Sequence, residues 1–269
     1  TARQVEASVG SSVNGTKLIS VCGKGGTGKT VLTAMMTRAL LDSGRAGRLL
    51  VIDADPALGQ LSALGARVRR TMGQIREDII RTARRGNRDE KAEIAGKVDY
   101  MVFDALSEMD GFALLAMGRT ESLGCFCPVN SLLRSAIETL SKSFDTILVD
   151  GEAGIEQINR QVTQRLDTLM IVSDPSARGM ETAAVVKDMV EREKIIECGK
   201  MGIVFNRVTG NEQLLEDAAR RIGLPVFGLI PSDPAIAEYD LAGTPILQLP
   251  ADAPGLRAVR SVVERCLLG

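Results

Sequence analysis

The stretch from Lys17 to Leu41 restricts the possible folds of this chain more than any other. An apolar run, Lys17-Leu18-Ile19-Ser20-Val21-Cys22, gives way at Gly23 to Gly23-Lys24-Gly25-Gly26-Thr27-Gly28-Lys29-Thr30. Beyond it, Val31, Leu32, Met35, Met36, Ala39 and Leu40 recur at helical spacing. A buried strand, a glycine loop and a helix in that order fit the pattern G-x-x-x-x-G-K-[ST]. Glycines let main-chain N–H groups turn inward and approach phosphate oxygens closely, at the positive end of the helix that follows. Lys29 is then placed for the β- and γ-phosphates of a nucleotide, and the Thr30 hydroxyl for Mg²⁺.

Further apolar runs punctuate the sequence at Leu49–Ile52, Tyr100–Phe103, Thr146–Val149, Thr168–Val172, Met201–Phe205 and Val226–Ile230. Helical patterns lie between most of them, as at Met180–Glu193 and Glu212–Ile222. Continuous apolar strands alternating with helices predict an α/β fold, a mostly parallel sheet flanked by helices on both faces. No linker rich in Pro, Gly or Ser divides the chain, so residues 17–269 are expected to form one domain. Residues 1–16, small and polar, are expected to be a poorly ordered extension. Ten Arg and Lys residues crowd positions 67–97; a solvated helical insertion accounts for them, and a partner-docking surface is the sharper alternative.

Composition removes several function classes. The chain has no His, which excludes imidazole bases, Ser-His or Cys-His pairs and His-ligated metals. A net charge of -1 gives no general drive towards nucleic acid or membranes, and 3% aromatics leave little for base stacking. No run approaches the ~18–20 apolar residues of a membrane span. Five Cys make no disulfide framework and point to a reducing compartment. A cytoplasmic protein without nucleic-acid or membrane partners is expected.

Lys24 adds a second lysine to the loop. Lys24-Gly25-Gly26-Thr27-Gly28-Lys29-Thr30 resembles the deviant Walker A loop of the P-loop ATPases that include nitrogenase iron protein and the Min/Par positioning ATPases. The resemblance implies a homodimer in which Lys24 reaches the partner's ATP, supplying the charge that an arginine finger supplies elsewhere. It makes Lys24, Lys29 and Asp55 the catalytic residues, with Asp55 orienting the attacking water. Gly25, Gly26, Thr27, Gly28, Lys29 and Thr30 would cradle the phosphates. Asp53, beside Asp55, and Asp150, in Asp150-Gly151-Glu152-Ala153-Gly154, would lie near Mg²⁺. Asn206 would meet the adenine, flanked by Pro231 and Asp233.

Gly124-Cys125-Phe126-Cys127-Pro128 is the other informative segment. In an extended chain, residues two apart share a face, and Pro128 biases Cys127 towards that geometry. Without His, a transition-metal site here must rest on thiolates, which suits Zn²⁺, Ni²⁺, Cu⁺ or an iron–sulfur cluster. Two thiolates per chain become four across a two-fold dimer, the number for a tetrahedral site. Two small buried structural residues are the alternative. Cys22, Cys198 and Cys266 read as core or incidental thiols.

Met117-Gly118-Arg119, the Cys-x-Cys segment, Asn130-Ser131-Leu132-Leu133-Arg134, Asp150–Glu156, Asp174-Pro175-Ser176 and Asp233-Pro234-Ala235-Ile236 follow in order. Together they resemble the CooC-type nickel-insertion ATPases that mature carbon-monoxide dehydrogenase. Gln157 stands where that family leads one to expect His. The resemblance implies ATP and Mg²⁺ as cofactors, Ni²⁺ or Zn²⁺ on Cys125 and Cys127 of both chains, and a client metalloenzyme such as carbon-monoxide dehydrogenase. Two other functions are compatible with the class: a [4Fe–4S] electron-transfer ATPase and a Min/Par positioning ATPase. The second needs a membrane- or DNA-binding surface, and Gly255–Leu268 is its candidate membrane helix.

Overall fold

The computed structural model describes residues 15–85, 87–119, 127–151 and 165–269. Among the described residues, eight strands form one sheet: β1 (Lys17–Cys22), β2 (Leu49–Asp53), β3 (Ser107–Glu108), β4 (Phe112–Ala116), β5 (Thr146–Asp150), β6 (Arg165–Ser173), β7 (Glu197–Val208) and β8 (Val226–Pro231). Their order is β3-β4-β2-β5-β1-β6-β7-β8, and only the short edge strand β3 runs antiparallel to its neighbour.

Helices cover both faces because both faces are apolar. Leu50 and Ile52 of β2 and Ile147 and Val149 of β5 face one layer, while Leu49, Val51 and Leu148 face the other. The first layer is closed by α3 (Met72–Arg85), through Ile75, Ile79 and Ile80, and by α6 (Cys127–Ser141) and α7 (Ala177–Glu191). The second is closed by α1 (Lys29–Ser43), through Leu32, Met35, Met36 and Leu40, and by α10 (Pro254–Val263). Shorter helices among the described residues are α2 (Gly59–Ala63), α4 (Arg88–Gly96), α5 (Val98–Asp104), α8 (Glu212–Arg221) and α9 (Pro234–Ala242).

The run Tyr100–Phe103 is corrected from strand to helix. It lies in α5, where Val98 and Val102, one turn apart, are buried while Tyr100 and Phe103 are exposed. Four apolar residues cannot separate the two periods. The strand that fills this place in the sheet is β4, Phe112-Ala113-Leu114-Leu115-Ala116.

The basic stretch is helical, and α3 is amphipathic rather than wholly solvated. Arg70 and Arg81 pair with Asp78, and Arg76 is itself buried, at 7% exposure. The candidate membrane segment packs inward instead, with Leu256, Val259, Val262, Val263 and Leu267 all in the core. Among the described residues, no helix is long and apolar enough to cross a membrane. The terminal stretch 1–14, the Cys125 side of the Cys-x-Cys segment and residues 152–164, Gln157 included, lie outside the described residues.

Candidate functional site

Strand order reverses around β1. The chain builds β2 and β4 to one side and β6, β7 and β8 to the other, and ligand crevices of open parallel sheets lie at such a point, outside the carboxyl ends of the strands. The loop Gly23–Gly28 leaves β1 there. Gly23, at φ 135°, passes so near β6 that a Cβ would sit 2.2 Å from the Val172 carbonyl oxygen. Gly26 and Gly28 also have positive φ, and α1 begins with no side chain capping it. Its first amides are left for a ligand, as an anion site requires.

Lys29 is buried at 8% exposure, and its Nζ donates to the Lys24 carbonyl at 3.2 Å. Thr27 Oγ1 donates to the same carbonyl at 2.8 Å. Lys24 itself turns outward, its Nζ 3.7 Å from the Asp174 carboxylate at the end of β6.

Two carboxylates meet behind the loop. Asp53 and Asp150 end adjacent strands in direct register, and both are buried. Burial raises the Asp53 carboxyl from 3.8 to about 7, with the charge of Asp150 adding to it. Burial likewise raises Asp150 to about 6, against the hydrogen bonds it accepts from Gln60 and Thr30. Thr30 Oγ1 lies 3.0 Å from Asp150 Oδ2, and Thr33 Oγ1 donates to Asp150 Oδ1 at 3.4 Å.

Gln60 joins this cluster, and no sequence signal marked it. Its backbone N–H donates to Asp53 Oδ2 at 3.1 Å. Its Nε2 donates to Asp150 Oδ2 at 3.0 Å and to the Thr30 carbonyl at 2.9 Å. The opposite amide orientation would set oxygen against oxygen at both contacts. Gln60 Oε1 is therefore fixed, fully buried and without a partner among the described residues. Two carboxylates and the Thr30 hydroxyl, with the Gln60 amide beside them, make an oxygen-rich cluster, which is the chemistry of a hydrated Mg²⁺.

Asp55 follows on the loop after β2, its N–H donating to Asp53 Oδ1 at 3.1 Å and its own carboxylate accepting from Ala57 N at 2.8 Å. Asn206, buried near the end of β7, donates to the Thr27 carbonyl at 2.8 Å, so it reaches the loop. Pro231 closes the adjoining β8, in register with Val208. Asp233 is committed elsewhere: it caps α9 through Ala235 N at 3.0 Å and holds Gly255 N at 2.9 Å. Both of its oxygens serve the backbone. The structure thus gathers the loop, Asp53, Asp150 and Asn206, and leaves Asp233 a scaffold contact.

Cys22 and Cys198 are poor metal ligands. Burial pushes the Cys22 thiol up to about 12 and Cys198 to about 11. Among the described residues, no group of three or more His, Cys, Asp or Glu side chains could hold a metal ion. Cys127 begins α6, while Cys125 falls outside the described residues.

Residues 18–246 match the sequence profile of the CobQ/CobB/MinD/ParA nucleotide-binding domain. The chain belongs to that family. It is a P-loop ATPase, and its relatives are similar over nearly their whole lengths. An ATP-binding protein of Methanocaldococcus jannaschii is 36% identical, over 93% of this chain and 98% of its own. The carbon monoxide dehydrogenase accessory protein CooC of Rhodospirillum rubrum is 31% identical, over 84% of this chain and 87% of its own. Among solved structures, MinD of Aquifex aeolicus in its MinC complex superimposes with a TM-score of 0.68 at 23% identity, covering 94% of this chain and 96% of that one. That likeness concerns the fold.

Proposed function

We propose that this family member is a dimeric ATPase that delivers nickel to carbon-monoxide dehydrogenase or a related metalloenzyme. One observation carries the reading: a Cys-x-Cys pair in a chain that has no His and is 31% identical to a carbon monoxide dehydrogenase accessory protein. Cys125 and Cys127 hold the cargo ion as thiolates, two from each chain across the dimer axis.

The residues around the loop perform the hydrolysis. Main-chain N–H groups of residues 25–30 and the Lys29 ammonium bind the phosphates. Thr30, Asp150, Asp53 and Gln60 would hold Mg²⁺, which would supply charge neutralisation at the phosphates. Asp55 orients the attacking water. Lys24 releases Asp174 and reaches the partner's nucleotide, so hydrolysis and dimerisation are coupled. Asn206 and the Pro231 segment hold the adenine.

Metal stoichiometry tests the proposal. The reduced protein should bind one Ni²⁺ or Zn²⁺ per two chains, less tightly at low pH because the ligands must be thiolates. Metal should also tighten the dimer by mass action. A Cys125→Ser/Cys127→Ser variant that keeps its metal would refute the site. A brown protein containing iron and sulfide would replace nickel delivery with electron transfer, and a wild type that binds no metal would leave a positioning ATPase.

A further inference from the structure

Arg207 sits in an unusual place. Its φ is 57°, in the left-handed region that side-chain-bearing residues seldom occupy. It lies where the β7–β8 register shifts, between Phe205 and Val208. Its N–H leaves the strand ladder and donates to Asn206 Oδ1 at 3.0 Å. Strained backbone at a ligand site persists only where the surroundings use it.

The use is visible one residue further out. Arg207 Nη1 donates to the Gly26 carbonyl at 3.2 Å, while Asn206 Nδ2 donates to the Thr27 carbonyl at 2.8 Å. Consecutive residues at a strand end therefore grip consecutive carbonyls of the phosphate loop. In a planar trans peptide the C=O and the following N–H point in opposite directions. Pinning Gly26 O from behind aims the Thr27 N–H forward, and pinning Thr27 O does the same for Gly28. Thr27 N–H makes only a long contact within the loop, 3.4 Å to Lys24 O. Glycine at 28 is part of the fit, since a Cβ there would lie 2.4 Å from Asn206 Nδ2.

We infer that Arg207 is a positioning residue for the phosphates: with Asn206 it clasps the back of the loop and sets two peptide planes before any ligand arrives. The inference rests on the nucleotide reading above and adds to it. A side chain next in sequence to the expected adenine contact Asn206 would act on the phosphates, through Gly26, and not on the base.

Two probes separate these roles, MgATP and Mg-tripolyphosphate, the second having no base. Dissociation constants for both should be measured on Arg207→Ala, Arg207→Lys and Arg207→Gly, alongside hydrogen exchange of residues 23–30 without ligand. Loss of one charge-assisted hydrogen bond at an exposed site should weaken both probes equally, by about three- to tenfold. Loop exchange should quicken, and Lys, which can still donate to Gly26 O, should restore most of both. Glycine relieves the backbone strain, so Arg207→Gly should melt no lower than wild type and still bind weakly, which separates the clasp from a folding defect. Weakening confined to MgATP would put Arg207 on the base and overturn the inference. Unchanged binding with unchanged exchange would overturn it too. A wild type that fails to bind MgATP would sink the nucleotide reading instead, and loop exchange alone would then judge the clasp.

Discussion

Replacing Asp53 by asparagine should stabilise the nucleotide-free protein, by an amount that grows with pH. The Asp53 carboxyl is raised from 3.8 to about 7 by burial and by facing Asp150. Between those values the unfolded chain has released this proton while the folded chain keeps it. Stability therefore falls as pH rises, at ~1.4 kcal/mol per pH unit, and stops falling above about pH 7. From about pH 5 to 7 the loss is about 3 kcal/mol. Asparagine has no proton to keep. Its NH₂ will face one of the two backbone donors the carboxylate now accepts, Asp55 N or Gln60 N, at a cost of ~1 kcal/mol that does not depend on pH. The variant's advantage in melting temperature should thus widen by about 6 °C between about pH 5 and 7.5. The chain has no Trp, so circular dichroism or calorimetry in EDTA is the assay. Melting curves that stay parallel across this pH range would show that Asp53 is ionised in the folded state, and the reasoning would fail.

Other perturbations follow from single contacts. Gly23→Ala drives a Cβ into the Val172 carbonyl at a positive φ, and urea denaturation should show a loss of about 3 kcal/mol; less than about 1 would mean that β1 and β6 can part. Gln60→Ala strips Asp150 and the Thr30 carbonyl of their amide donor, so the Mg²⁺ concentration for half-maximal ATP hydrolysis should rise about tenfold, with a parallel weakening of Mn²⁺ binding seen by electron paramagnetic resonance. Asp174→Ala breaks a half-exposed ion pair worth ~0–1 kcal/mol, so the melting temperature should hold within about 2 °C. The freed Lys24 should let ATP drive dimer formation at lower protein concentration in sedimentation experiments.

What could be read from sequence alone depended on how local the cause was. The strand Lys17–Cys22 was legible to the residue, because four buried side chains in a row and a glycine stop have local causes. The phosphate loop was legible for the same reason. Tyr100–Phe103 misled because a four-residue apolar run has no period, and β4 escaped because two of its five residues are Ala. Gln60 was invisible: it lies seven residues beyond Asp53, and only the turn through Leu58, at φ 57°, swings it under Asp150. Asp233 has a task that its place near Pro231 does not announce: its carboxylate anchors two helix starts, a demand created by tertiary packing.

Helix α4 has a use outside this chemistry. Asn87 and Glu90 cap it reciprocally, each side chain accepting from the other's backbone at 2.9 Å, so the helix starts without help from the rest of the molecule. Val98 begins the next buried contact, and among the described side chains of α4 only Ile94 packs against the core. The excursion that carries it leaves β2 and rejoins the sheet at the two-residue edge strand β3, which turns back onto β4, the neighbour of β2. Lengthening such a connection costs only logarithmically in chain entropy. The excursion is thus a natural graft point: a fluorescent reporter inserted in place of α4 would ride on the ATPase while the sheet, the loop and the paired carboxylates stay as they are.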